Sequence, residues 1–110
     1  MKQTEARIQA PTALTVGLDD QIGGICFAFF DDGGMRILAT RDVAAACARI
    51  PEVMPVVVVT TPGLSPGDSA LLEEHTSAVG AVLLAISKGT AKEAVLKALG
   101  TAMSQVASRG

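Results

Sequence analysis

The side chains able to do chemistry are few. Asp19 and Asp20 form an acidic pair directly after a short apolar run, Ala13 to Leu18. Two carboxylates at a strand end could hold a magnesium ion, which prefers oxygen ligands and keeps several waters. Without a third carboxylate or a phosphate such a site is weak. The plainer role is a solvated strand end with Asp20 as a helix cap. Thr60 and Thr61 close the most apolar run of the chain. As nucleophiles they would need a base within hydrogen-bond reach. The only histidine, His75, lies in a helical stretch beside Glu73 and Glu74 and reads as a surface residue. The loop from Thr61 to Gly67 (TPGLSPG) has neither glycine pattern of a phosphate-binding loop. Its prolines remove backbone donors and Asp68 repels anions, so it reads as a turn and a cap. Cys26 and Cys47 stand far apart, with no CxxC spacing, and read as small buried apolar residues.

Composition narrows the field further. A chain of 110 residues is one domain, and 49 % hydrophobic residues give it a real core. A net charge of −2 argues against a binder that neutralises phosphates, and three Phe with no Trp or Tyr leave no base-stacking platform. One histidine rules out a multi-histidine metal site. Residues Met1 to Ala13 carry Lys2, Glu5 and Arg7 without an apolar centre, unlike a signal peptide. No apolar run approaches the roughly 20 residues that span a bilayer. The cytoplasm is the expected compartment.

The elements that must position these residues follow from pattern. Residues 1–12 read as a polar arm, and Ala13 to Leu18 as a first strand. Between Gln21 and Phe30 the apolar residues Ile22, Ile25, Cys26, Phe29 and Phe30 recur at helical spacing, against the cost of Gly23-Gly24. The rival is a strand, Ile25 to Phe30, entering a hairpin at Asp32-Gly33. The helix is favoured because Asp20 can cap it and Gly33-Gly34 can end it. Met35 to Ala39 reads as a strand. A helix capped by Thr40 or Asp42 then presents Val43, Ala46, Cys47 and Ile50, and Pro51 is expected to stop it. Met54 to Val59, with four consecutive valines, fits a strand covered on both faces. Ser65-Pro66-Gly67-Asp68 starts a helix reaching about Thr76, Ala81 to Ile86 is another buried strand, and Thr90 to Glu93 is a capping box for a last helix. The alternation predicts a mostly parallel sheet with helices on both faces.

In this order, several local features resemble the receiver domain of bacterial response regulators. The acidic pair Asp19-Asp20 ends the first strand, where a receiver holds magnesium. The turn Gly33-Gly34 precedes the strand MRILAT, and an alanine-rich helix, Arg41 to Ile50, follows. Met54-Pro55 leads into Val56 to Thr60. The run Ser77 to Leu84 leads into Ile86-Ser87-Lys88 and a final amphipathic helix. The resemblance spans most of residues 13–103 and implies an α/β, flavodoxin-like (receiver-like) three-layer sandwich with a four-stranded, mostly parallel sheet. Residues 104–110 are left as a tail. A receiver has five βα units, so one is missing here. If the valine strand is the one that should bear the phosphoacceptor aspartate, it ends in Thr60-Thr61. If it is the receiver's fourth strand, Thr60 matches the usual hydroxyl and the acceptor strand is absent. Either way there is no acceptor. In strict register Ser87 stands at the receiver's lysine, and Lys88 substitutes with a shift of one residue.

These losses resemble those of pseudo-receivers, which dock partners without phosphorylation. The resemblance therefore implies a non-enzymatic interaction module in bacterial two-component signalling, with a kinase, effector or scaffold protein as partner. No cofactor is expected beyond weak, vestigial magnesium at Asp19 and Asp20, and neither nucleic acid nor membrane is an expected partner. Thr60, Thr61 and Lys88 are the receiver-site equivalents. Phe27, Phe29 and Phe30, all the chain's aromatics, are the candidate partner contacts. The small residues on the last helix suggest a homodimer face. The alternative is a small magnesium- or nucleotide-binding flavodoxin-like domain using Asp19, Asp20 and Thr60.

Overall fold

Four consecutive valines can be buried on both faces only if a layer lies on each side of their strand. The computed structural model, which describes residues 10–109, shows that arrangement. The strands are β1 (Thr12–Val16), β2 (Arg36–Thr40), β3 (Val57–Thr60) and β4 (Val82–Ala85). The helices are α1 (Asp20–Asp32), α2 (Val43–Val53), α3 (Pro66–Ala78) and α4 (Lys92–Arg109). All strands are parallel, in the order β2-β1-β3-β4. Val57, Val58 and Val59 are 0 % exposed. Val57 and Val59 join Ala13, Cys26, Phe30, Val95 and Leu99 in the core under α1 and α4. Val58 joins Leu14, Val16, Cys47, Ile50 and Leu72 in the core under α2 and α3.

The ambiguous stretch from Gln21 to Phe30 lies wholly within α1, which excludes the hairpin. Its cap is Asp19, not Asp20: the Ile22 amide donates to Asp19 Oδ1 at 2.8 Å, and Asp20 is the first helical residue. The two glycines are tolerated because Ile22, Cys26 and Phe30 anchor one face in the core. Asp42 caps α2 through the Ala45 amide, while the Thr40 hydroxyl donates to the Thr15 carbonyl instead.

Pro51 does not stop α2, which runs one turn further to Val53. The proline costs one amide near the end of the helix, and the Met54 amide still reaches the Ile50 carbonyl. Pro55 ends it, because a residue before proline is turned away from the helical region. Met54 is therefore not the start of a strand but an exposed left-handed cap, φ 50°. Other boundaries also move. Helix α3 continues to Ala78, and β4 is a half-exposed edge rather than a buried strand. The Thr90 hydroxyl donates back to the Ser87 carbonyl at 2.6 Å, closing the turn before α4 rather than forming a capping box. Helix α4 runs through Arg109, so residues 104–109 are not a tail. Residues 1–9 of the expected arm lie outside the described residues.

Candidate functional site

Strand order reverses between β1 and β3, and in open parallel sheets ligands settle in the crevice outside that point, at the C-terminal strand ends. A crevice of about 210 Å³ lies there, over Ile22 and Ile86, with Gly17, Asp19, Thr61 and Lys88 on its walls. Gly17 shapes the wall. Its φ is +66°, and a Cβ there would stand 3.2 Å from the Arg41 carbonyl oxygen. Its amide donates to the Thr40 carbonyl at 2.9 Å, tying the loop after β1 to the end of β2.

The fold thus brings together Asp19, Thr61 and Lys88 from three separate segments, and leaves out Asp20 and Thr60. Asp20 is exposed in the first turn of α1. Thr60 is 3 % exposed, and its hydroxyl donates to the Val16 carbonyl at 3.3 Å. That hydroxyl holds β3 to β1 and is not presented to a ligand. His75 donates from Nδ1 to the Leu71 carbonyl on its own helix and does not line the crevice. The thiols are also out of reach. Burial pushes Cys26 up to about 11, and burial followed by Asp68 and Glu74 raises Cys47. Both stay protonated near neutral pH and are poor nucleophiles.

The donor set fits a magnesium ion poorly. One oxygen of Asp19 is engaged in the α1 cap, Asp20 does not line the crevice, and Lys88 places a cation there. Among the described residues no three metal-binding side chains gather anywhere. A lysine, a hydroxyl and a single carboxylate can hold water or a small polar group, but they do not make up a magnesium shell.

A second concave surface runs between α1 and α4. This groove, about 880 Å³, is lined mainly by the half-buried apolar residues Ile25, Phe29, Met35, Leu96 and Met103, with Lys92 and Asp32 also on its walls. Beside it the three phenylalanines separate. Phe27 is 56 % exposed, Phe29 is half-buried, and Phe30 is 0 % exposed, packed edge-on against Phe29 at 5.4 Å between ring centres. Phe30 is therefore core and cannot be a partner contact, because its face of α1 is the one the sheet covers. Sequence reasoning missed Met35, Leu96 and Met103 as groove residues. The signal available was that α4 has more apolar positions than one helical stripe needs.

Solved structures similar to this chain include receiver domains. The receiver domain of NtrC4 from Aquifex aeolicus superposes with a TM-score of 0.57 at 17 % identity, covering 84 % of this chain and 78 % of that one. Chemotaxis protein CheY4 from Vibrio cholerae gives 0.55 at 15 % identity, covering 84 % and 98 %. The fold is receiver-like. The signal receiver domain of a modulated diguanylate cyclase from Desulfovibrio desulfuricans gives 0.50 at 10 % identity, covering 93 % and 100 %. No protein-family model matches the chain, and no curated protein matches it by sequence. In the five-stranded version of the receiver-like fold, with order 2-1-3-4-5, the third strand lies beside the first. Here β3 takes that place, and its end carries Thr60-Thr61 where the resemblance calls for an aspartate. Among the described residues no helix is long and apolar enough to cross a membrane.

Proposed function

We propose that this chain is a receiver-like interaction module of bacterial signal transduction that engages a protein partner without a phosphoryl switch and without catalysis. The observation that carries the reading is the crevice: Thr61 and Lys88 face a single carboxylate, Asp19, and no acceptor acid stands at the end of β3. A receiver-like fold so changed keeps its surfaces but has nothing to phosphorylate. The groove between α1 and α4, with Phe27 exposed beside it, supports docking. Aromatic residues concentrate at interface centres, where a few anchors carry most of the binding energy.

The test is a backbone-amide NMR titration with magnesium, then with acetyl phosphate or beryllofluoride added. The module reading expects no saturable shifts at Asp19, Thr61 or Lys88. Asp19→Asn, which retains a good cap, is expected to leave the spectrum and partner binding intact. Saturable shifts confined to those residues would favour a magnesium- or nucleotide-binding domain instead.

A further inference from the structure

The two edges of the sheet are guarded differently. β2 opens with the exposed charge of Arg36, the kind of residue that keeps an edge from pairing with another chain. β4 has no such guard: Gly80 to Ser87 (GAVLLAIS) contains neither a charged residue nor a proline. On its inner side β4 is bonded to β3, with the Val82 amide donating to the Val56 carbonyl at 3.0 Å and the Ile86 amide to the Thr60 carbonyl at 2.8 Å. Alternate residues of a strand face opposite neighbours, so Leu84 shares that inner side. The backbone N–H and C=O groups of Leu83 and Ala85 face outward, where the sheet ends. The side chains of Leu83 and Leu84 are half-exposed and Ala85 is exposed. An uncharged apolar strand with open backbone groups is a template for another strand.

We propose that β4 is a homodimer interface. Two copies pair their β4 strands antiparallel about a two-fold axis, giving one continuous sheet with four strands from each copy. The strand complements itself. With the axis at Leu84, Leu83 lies opposite Ala85 of the second copy, and these residues exchange both backbone bonds, large side chain against small. Leu84 lies opposite Leu84 in the closer, non-bonded position, Cα atoms about 4.5 Å apart. Charge also favours a second copy as the occupant. Lys88 is the first charged residue beyond the strand, and antiparallel pairing carries the two Lys88 side chains to opposite ends of the interface.

Sedimentation equilibrium of the full chain, from micromolar to millimolar concentration, tests this. The natural chain is expected to approach twice the monomer mass, with amide exchange at Leu83 and Ala85 slowing as dimer forms. Ala85→Pro removes an outward N–H that β3 does not use, which edge strands tolerate. Ala85→Lys keeps that N–H but sets a charge in the interface, and serves if the proline variant fails to fold. Either should raise the dissociation constant by about tenfold or more, while Ala39→Lys on β2 leaves it unchanged. A natural chain that stays monomeric at millimolar concentration overturns the proposal. So does a dimer that survives both Ala85 variants, or one that Ala39→Lys disrupts equally.

Discussion

Replacing Phe30 and Phe27 separately by alanine tests whether α1 has one buried and one free aromatic face. Phe30 is wholly enclosed between α1, the sheet and α4, and meets Phe29 edge-on at 82°. Losing the buried ring forfeits about 1.5–3 kcal/mol of transfer free energy. The edge-to-face pair adds about 0.5–1.5 kcal/mol. The cavity left behind brings the total to the 3–5 kcal/mol usual for core Phe truncation. A domain of this size has only about 5–15 kcal/mol in all. Phe30→Ala should therefore lower the melting temperature by more than about 12 °C, at roughly 4 °C or more per kcal/mol. Phe27, mostly in solvent, should change stability by less than about 0.5 kcal/mol. Urea titrations followed by far-UV circular dichroism, beside melting curves, measure both. A Phe30→Ala protein within a few degrees of the natural one, or a Phe27→Ala protein as damaged as Phe30→Ala, would refute the assignment of faces.

Two further outcomes follow from the same core. Val58→Asp places a carboxylate in the core under α2 and α3, at a cost of several kcal/mol, so the variant should be unfolded at room temperature; a native circular dichroism spectrum would show that α2 and α3 do not cover that face of the strand. Cys26 titrates near 9.0 when unfolded and at about 11 when folded. Between those values the unfolded chain releases its proton first, so stability falls as pH rises, by up to about 3 kcal/mol. Cys26→Ala should lack that share of the alkaline loss, and equal pH dependence in the two proteins would contradict it.

The fold was legible where pattern and burial agree. The alternation of strands and helices, the apolar face of α2 at Val43, Ala46, Cys47 and Ile50, and the valine strand all depend on periodicity, which the sheet then enforces. Boundaries were harder where neighbouring residues compete for one role. Either Asp19 or Asp20 can cap a helix, and only the direction of the chain leaving β1 decides between them. Pro51 looked terminal, but the burial of Ile50 holds the next turn in place. The site was legible only in part. Lys88 and Thr61 were within sight because they follow strands, whereas Thr60, one residue earlier, faces inward and bonds to Val16. That difference is the two-residue alternation of a strand, and where a strand ends is what sequence specifies least.

The valine strand has a consequence of another kind. Because Val56 to Val59 are identical and both of their surroundings are apolar, sliding β3 by one residue would exchange valine for valine almost everywhere. The run therefore contains almost no information about its own alignment in the sheet, although a one-residue slip is ordinarily what hydrophobic alternation forbids. Alignment must be set at its two ends. At the start Pro55 is buried and the Val56 amide donates to the Thr12 carbonyl; at the finish the Thr60 hydroxyl reaches the Val16 carbonyl. Thr60 thus acts as a clasp: it spends its hydroxyl fixing which valine faces which core, and so fixes where Thr61 emerges.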